Sequence, residues 1–288
     1  MTATLPDCVD ADARRALAED VGSGDLSAAA IAAEREMSAS VIAREAGVLA
    51  GTAWFDAVFA ALDRRVIVTW LHADGERVAA DATLCRLRGP ARALFTGERS
   101  ALNFLQLLSG VATATREYVD AIADDRAVIL DTRKTLPGLR AAQKYAVTCG
   151  GGVNHRIGLH DGAMLKENHL YAAGGIEPAI AALRAAHPDA RLTVEVETLE
   201  QVRRALAAGA DRLLLDNFAL ADLRAAVAEN AGRAHLEASG GVTLTRLREI
   251  AATGVDSISV GALTKDVRAL DLSLRFAATS DQSMSDDG

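Results

Sequence analysis

Cysteine is scarce: Cys8, Cys85 and Cys149 are odd in number, far apart and in no CxxC pair, which argues against a disulfide framework or a cysteine zinc site and fits a reducing compartment. Basic residues are not in excess either. The formal net charge is -8 and the pI about 5.3, so the basic face of a nucleic-acid binder is not expected. No apolar run approaches a membrane span, and the opening MTATLPDCVDADARR lacks the basic-then-apolar layout of a signal peptide; a cytoplasmic protein with no membrane partner is expected. No GxGxxG motif is present. His155, His160 and His169 do not form an HExxH pattern, so a histidine metal site is not expected.

What is present is a chain of 288 residues, half of them hydrophobic, enough for one large core or a large and a small one. Within it, DTRKTLPGLRAAQKYAVTCGGGVNHRIGLHDGAMLKEN, from Asp131 to Asn168, holds six cations (Arg133, Lys134, Arg140, Lys144, Arg156, Lys166) against Asp131, Asp161 and Glu167. Clustered cations in an acidic chain repel one another unless an anion sits among them. The segment therefore points to a small, multiply negative ligand held by arginine forks and lysine ammonium groups.

From about Arg126 onward one grammar repeats: a short β-rich apolar run, polar residues, a turn, then apolar residues three and four apart. Strands are expected at 128–130, 163–165, 192–196, 213–215, 236–238 and 257–260, and helices at 178–186, 199–208, 220–230 and 244–252. Pro178 suits a first helical turn, and Gly209 and Gly254 suit positions just past helix ends. Alternating strands and helices imply a parallel sheet. Polar residues gather at the carboxyl ends of the strands (Thr132, Arg133, Lys166, Glu197, Asp216, Asn217, Ser239, Gly261), which favours an α/β barrel with all those ends on one rim over an open sheet. Residues 1–110 read as a separate α+β unit, with a helix near 11–19 and a strand at 66–71. The stripe Leu102, Leu105, Leu108, Val111 marks a long helix over 98–119 that Gly110 is placed to break or bend. The barrel is expected over 111–267, with 268–279 a candidate to pack back on the first unit. The small, polar, acidic residues 280–288 are expected to be disordered.

Arg133 and Lys134 stand where a barrel rim faces its ligand. Arg156 follows the run Gly150, Gly151, Gly152, which either brings backbone close to a ligand or only makes a turn. Lys166, directly after a buried strand, is a ligand cation, a Schiff-base amine or half of an ion pair with a strand-end carboxylate. Glu195 and Glu197 share one strand face, and with Asp216 they either neutralise the cations or hold ribose hydroxyls and a hydrated magnesium ion. Ser239, Gly240 and Gly241, then Val260, Gly261 and Ala262, offer backbone N–H groups near helix starts, a cradle for phosphate.

Taken in order, ERSALNFLQLLSGVAT, the DTRKT, NHR and KENH motifs, TVEVET, LLLDN, EASGG and SVGALT resemble quinolinate phosphoribosyltransferase over nearly the whole chain. The resemblance implies an N-terminal α/β sandwich and a seven-stranded C-terminal α/β barrel, one strand more than the periodicity locates. It implies the transfer of phosphoribose from phosphoribosyl pyrophosphate to quinolinate with loss of CO2 and pyrophosphate, giving nicotinate mononucleotide in de novo NAD biosynthesis. By the same resemblance Arg133, Arg156 and Lys166 bind the quinolinate carboxylates, with Thr132, Lys134 and His155 beside them. Glu195 and Asp216 face the ribose and the Mg2+ carried by phosphoribosyl pyrophosphate, with no direct side-chain metal ligand assigned. Ser239, Gly240, Gly241, Val260, Gly261 and Ala262 hold its 5-phosphate, and Lys134, Lys166, Glu195 and Asp216 are the expected catalytic set. A homodimer is implied, with Arg99 entering the partner's site. Ser100 stands where Thr is common in the family and Leu107 where a polar or basic residue is frequent.

Overall fold

The computed structural model describes residues 4–123 and 125–277; the expected disordered stretch 280–288 lies outside them. Its contacts divide the chain into two compact units, one from Leu5 to Gly110 with the described residues 269–277, the other from Val111 to Arg268.

The first unit opens with helix α1 (Val9–Val21), then strands β1 (Glu36–Ala43) and β2 (Gly47–Val48), helix α2 (Thr52–Leu62), strands β3 (Ile67–Trp70), β4 (Arg77–Val78) and β5 (Thr83–Pro90), and the long helix α3 (Ala91–Ala121). Ala39, Val41 and Ala43 alternate along β1 and are buried, as the pleat requires of a strand with one covered face. They share this unit with a core of fully buried Trp54, Phe55 and Phe59 on α2 and Leu84 and Leu87 on β5. Trp54 Nε1 donates to buried Asp12 on α1 at 3.0 Å, which satisfies the one polar atom the indole brings inside. Helix α3 runs unbroken through Gly110. A mid-helix glycine costs only about 1 kcal/mol relative to alanine, too little to end a helix tied down by buried Leu102, Leu105, Leu108, Val111 and Ala112.

In the second unit the strands are β6 (Val128–Leu130), β7 (Ala163–Leu165), β8 (Leu192–Val196), β9 (Arg212–Asp216), β10 (His235–Ser239) and β11 (Ser257–Ser259). They alternate with α4 (Arg140–Cys149), α5 (Glu167–Ala172), α6 (Ile176–Ala186), α7 (Leu199–Ala207), α8 (Leu220–Asn230), α9 (Leu247–Ala251) and α10 (Ala262–Lys265). The sheet is parallel in the order β6-β11-β10-β9-β8-β7. This is the expected barrel-like architecture, and the seventh strand position is reduced to one parallel bridge between Val153 and Leu130 on the free edge of β6. Strand residues alternate in role. Val194, Val196, Leu213, Leu215, Leu236, Ala238 and Ile258 join Ile180, Val202, Leu206, Leu223 and Ile250 of the helices in one apolar core. Their neighbours Thr193, Glu195, Arg212, Asp216, His235, Glu237 and Ser239 take the opposite face, so polar chemistry collects on the side away from the helices.

The expected helix over 244–252 shortens to α9, because turns closed by Arg246 N to Thr243 O at 3.1 Å and Leu247 N to Leu244 O at 3.4 Å occupy its start. Strand β12 (Leu272–Phe276) returns to the first unit, pairing antiparallel with β1 in the sheet order β12-β1-β5-β3. No described helix is long and apolar enough to cross a membrane.

Candidate active site

The six clustered cations have divided their work. Lys144 is spent internally: 2% exposed, it pairs with Asp131, itself 0% exposed, and also donates to His155 O at 2.9 Å. Arg140 ties two loops together, donating to Thr135 Oγ1 at 3.1 Å, Arg133 O at 3.4 Å and Ile157 O at 3.2 Å. Lys166, at the end of β7, forms an ion pair with Glu195 on adjacent β8, Nζ to Oε2 2.7 Å. That leaves Arg133, Arg156 and Lys134 with neither an ion pair nor such a tying role among the described residues.

Arg133 and Arg156 share one feature. The Nε atoms of both are buried with no hydrogen-bond partner, and a buried donor left unpaired costs about 1–3 kcal/mol. Burial, then the neighbouring positive charge of Arg133, pushes the Arg156 guanidinium below its ordinary range. Arg156 makes one side-chain hydrogen bond, Nη1 to Gly162 O at 2.8 Å. Two like charges with unspent donors describe half of an anion complex.

Lys134 is exposed and lies over the end of the neighbouring strand. A Cβ built on Gly261 would meet Lys134 Cδ at 3.1 Å, with Lys134 Nζ at 3.8 Å and Thr132 Oγ1 at 3.7 Å. Thr132 Oγ1 accepts from Lys134 N at 3.0 Å, and Lys134 O accepts from Thr264 Oγ1 at 2.9 Å. Thr132, Lys134 and Gly261 thus meet at one point of the rim, where β6 and β11 run side by side. On the other side, Asn217 at φ +56° donates its backbone N–H to Ser239 O at 2.9 Å and its Nδ2 to Asp216 at 2.8 Å. Gly240 at φ +89° could carry no side chain there, since its Cβ would fall 2.1 Å from Asn217 Oδ1. A cavity of about 200 Å³ adjoins Asn217, Ser239, Gly240, Gly241 and Arg246. The helices after these glycine loops have only five and four residues, so the loop amides themselves, rather than a helix dipole, are what an anion meets here.

The glycine run is a packing device, not a ligand loop. A Cβ on Gly150 would stand 2.5 Å from Ala112 O and Thr115 Cβ, and one on Gly152 2.8 Å from Thr115 Cγ2 and Val147 Cγ1. The run lets the chain pass close to α3 before turning to bridge β6.

His155 faces inward. Its Nδ1 accepts from Arg156 N at 2.7 Å, and its Nε2 lies 3.2 Å from Oε2 of Glu237, a carboxylate with 0% exposure. Arg212 Nε donates to the same oxygen at 3.1 Å. Burial alone would raise the Glu237 carboxyl; His155 and Arg212 outweigh it and hold it below the usual carboxylate range. Sequence reasoning missed Glu237 and Arg212, although HLEAS carries a readable signal: a charged residue alternating with His235 and Ser239 across buried Leu236 and Ala238. A second cavity, of about 350 Å³, is lined by Asn154, His155, Arg156, Ile157 and Asp161 together with residues at strand starts, among them Val128, Arg212 and His235. Arg99 belongs to the other unit, on an exposed position of α3.

The chain matches two family models, the quinolinate phosphoribosyl transferase N-terminal domain over residues 25–109 and the C-terminal domain over residues 111–275. It is 44% identical to the probable carboxylating nicotinate-nucleotide pyrophosphorylase of Bacillus subtilis over 257 residues, 89% of each chain. It is also 44% identical over 270 residues to the carboxylating nicotinate-nucleotide pyrophosphorylase of Mycobacterium leprae, covering 91% of this chain and 94% of that one. The solved nicotinate-nucleotide pyrophosphorylase from Francisella tularensis superposes with a TM-score of 0.93 at 43% identity, covering 96% of this chain and 99% of that one. Fold, rim and likeness over both units agree: the chain belongs to the quinolinate phosphoribosyltransferase family.

Proposed function

We propose that this protein is a decarboxylating quinolinate phosphoribosyltransferase, joining quinolinate to phosphoribosyl pyrophosphate and releasing pyrophosphate, CO2 and nicotinate mononucleotide for de novo NAD synthesis. The relatives are named for this reaction. The observation that carries the reading is the pair Arg133 and Arg156, two arginines with buried, unspent donors. A dicarboxylate supplies the two missing partners, and a monoanion supplies one.

In this reading Arg133 and Arg156 take the quinolinate carboxylates, and their rigid forks aim the pyridine nitrogen at the anomeric carbon. Lys166 and Glu195 hold each other at 2.7 Å and exchange partners as substrates bind. Lys166 turns to a carboxylate. Glu195, with Asp216, then faces the positive charge that builds on the ribose as pyrophosphate departs. The pyridine nitrogen forms the new bond to the anomeric carbon while the bond to pyrophosphate breaks. The quaternary nitrogen then accommodates the electron pair left when the adjacent carboxylate leaves as CO2, and a proton takes its place. An ammonium paired with a carboxylate is not the free amine an imine requires, so the Schiff-base role for Lys166 has no support in this geometry.

Magnesium enters as part of the substrate. Such an ion keeps its water and phosphate ligands and meets one or two carboxylates, here Glu195 and Asp216. Thr132, Lys134 and Gly261, with Ser239, Gly240 and Gly241 and the adjoining Val260 and Ala262, are assigned to the phosphates of phosphoribosyl pyrophosphate. Arg99 is assigned to the site of a partner subunit in a homodimer, and a cytoplasmic location fits the composition. The test is incubation of the purified protein with quinolinate, phosphoribosyl pyrophosphate and magnesium, followed by quantitation of nicotinate mononucleotide and CO2. Equal amounts of both products support the reading, and absence of the nucleotide overturns it.

A further inference from the structure

Arg133 and Arg156, the proposed carboxylate ligands, follow two extended segments that are scarcely joined. The main-chain ladder between β6 and the seventh strand position ends after Val153 N to Ile129 O at 2.9 Å and Asp131 N to Val153 O at 3.2 Å. Beyond that point, where both arginines lie, the connection is made by side chains. Asp131 Oδ1 accepts from His155 N at 2.8 Å and pairs with Lys144. Lys144 donates in turn to His155 O at 2.9 Å. Asn154, with its amide turned to satisfy both ends, donates to Asp131 Oδ2 at 2.6 Å and to Lys144 O at 2.9 Å. The residue before Arg156 is therefore gripped at its N–H by Asp131, two residues before Arg133, and at its C=O by Lys144.

Resting on that functional reading, we propose that Asp131 and Lys144 are positioning residues for the quinolinate reaction, a buried clamp that fixes the spacing between Arg133 and Arg156. Stability alone is a poor reason to keep such a pair, since well-packed apolar residues of similar volume are commonly as stabilising or more so. Burial pushes the Asp131 carboxyl up to about 6 in spite of Lys144, and pushes Lys144 down; the chain retains the pair against a desolvation cost. What apolar residues cannot do is hold a backbone N–H and a C=O in place at the end of a ladder. A dicarboxylate spanning two arginines is sensitive to their separation, because a misplacement of about 1 Å can cost on the order of a hundredfold in rate.

The test compares Asp131→Asn with the double variant Asp131→Leu/Lys144→Met, which removes both charges together and so leaves neither one buried alone. The clamp predicts that both lower kcat/KM for quinolinate at least tenfold while the KM for phosphoribosyl pyrophosphate stays within threefold. It also predicts that amide hydrogen exchange accelerates locally at residues 153–157, with the double variant melting within a few degrees of the wild type. A double variant with wild-type kcat/KM for quinolinate and wild-type exchange overturns the clamp. So does one that fails to fold, or one whose KM values rise together in step with lost thermal stability, because either result makes the pair merely structural. Failure of the functional reading is distinguishable: a wild-type protein that makes no nicotinate mononucleotide overturns that reading, and the exchange measurement still decides the clamp.

Discussion

Replacing Arg156 with Met should separate binding from stability in a way few active-site substitutions do. Among the described residues the Arg156 guanidinium makes one hydrogen bond, to Gly162 O at 2.8 Å, keeps its Nε buried and unpaired, and sits against the charge of Arg133. Losing the hydrogen bond costs about 1.5–3 kcal/mol as for a charged donor. Removing an unsatisfied buried donor returns a similar amount, about 1–3 kcal/mol. The free protein should therefore change by no more than about 1 kcal/mol, a shift of about 2–4 °C in Tm. Binding has no such compensation, because a quinolinate carboxylate loses its charged partner while it remains beside Arg133. A loss of about 2–4 kcal/mol follows, about 30- to 1000-fold in Kd. Titration calorimetry with quinolinate and thermal melting of the same preparation measure both numbers. Affinity within threefold of the wild type, or a melting temperature lower by about 10 °C or more, would refute the reasoning.

Gly240→Ala places a Cβ 2.1 Å from Asn217 Oδ1 at a φ of +89°; it should raise the KM for phosphoribosyl pyrophosphate at least tenfold and leave quinolinate affinity by calorimetry unchanged, and an unchanged KM removes this loop from the phosphate site. Mixing inactive Arg99→Ala and Lys166→Ala chains should restore part of the activity if Arg99 serves a partner's site, whereas a mixture as inactive as its components counts against sharing. Asp56 offers a test away from the rim: burial raises its carboxyl from 3.8 to about 6 against the hydrogen bond from Trp70 Nε1 at 3.0 Å. Its folded pKa lies above the unfolded one, so its contribution to stability is complete below pH 3.8 and is lost as pH rises through about 6. Asp56→Asn, which keeps an acceptor for Trp70, should therefore stabilise the protein by about 1 kcal/mol at pH 8, a value reduced for partial exposure, and make little difference near pH 4. A variant equally destabilised at both pH values contradicts the assignment.

The barrel was legible because its strands are short apolar runs ended by polar residues. β6, β7 and β8 fall on the expected residues, and β9 and β10 each gain one residue at either end. Those added residues, Arg212 and His235 at the starts, are polar and so hid the strand ends, while Arg212 and Glu237 form part of the barrel's polar interior. The seventh strand escaped because Val153 makes a single bridge, too little to leave an alternation. Helix α4 was masked by the same cations that marked the site: Lys144 and Arg140 read as ligand groups, and only the fold shows that Asp131 and two loops consume them. Local sequence could place the cations together; it could not say which had partners, because the pairing is set by how adjacent strands and loops fold back on one another. The outcome for Gly150, Gly151 and Gly152 has the same cause, since α3, against which they pack, is far away in the chain.

The account stands on two arginines waiting for a dicarboxylate, and a crystal structure of the protein with quinolinate tests that most directly. Both carboxylates should lie within hydrogen-bond distance of Arg133 and Arg156, with a previously unpaired Nε engaged and Lys166 turned away from Glu195. Quinolinate bound elsewhere, with both Nε atoms still unpartnered and the Lys166–Glu195 pair intact, would contradict it.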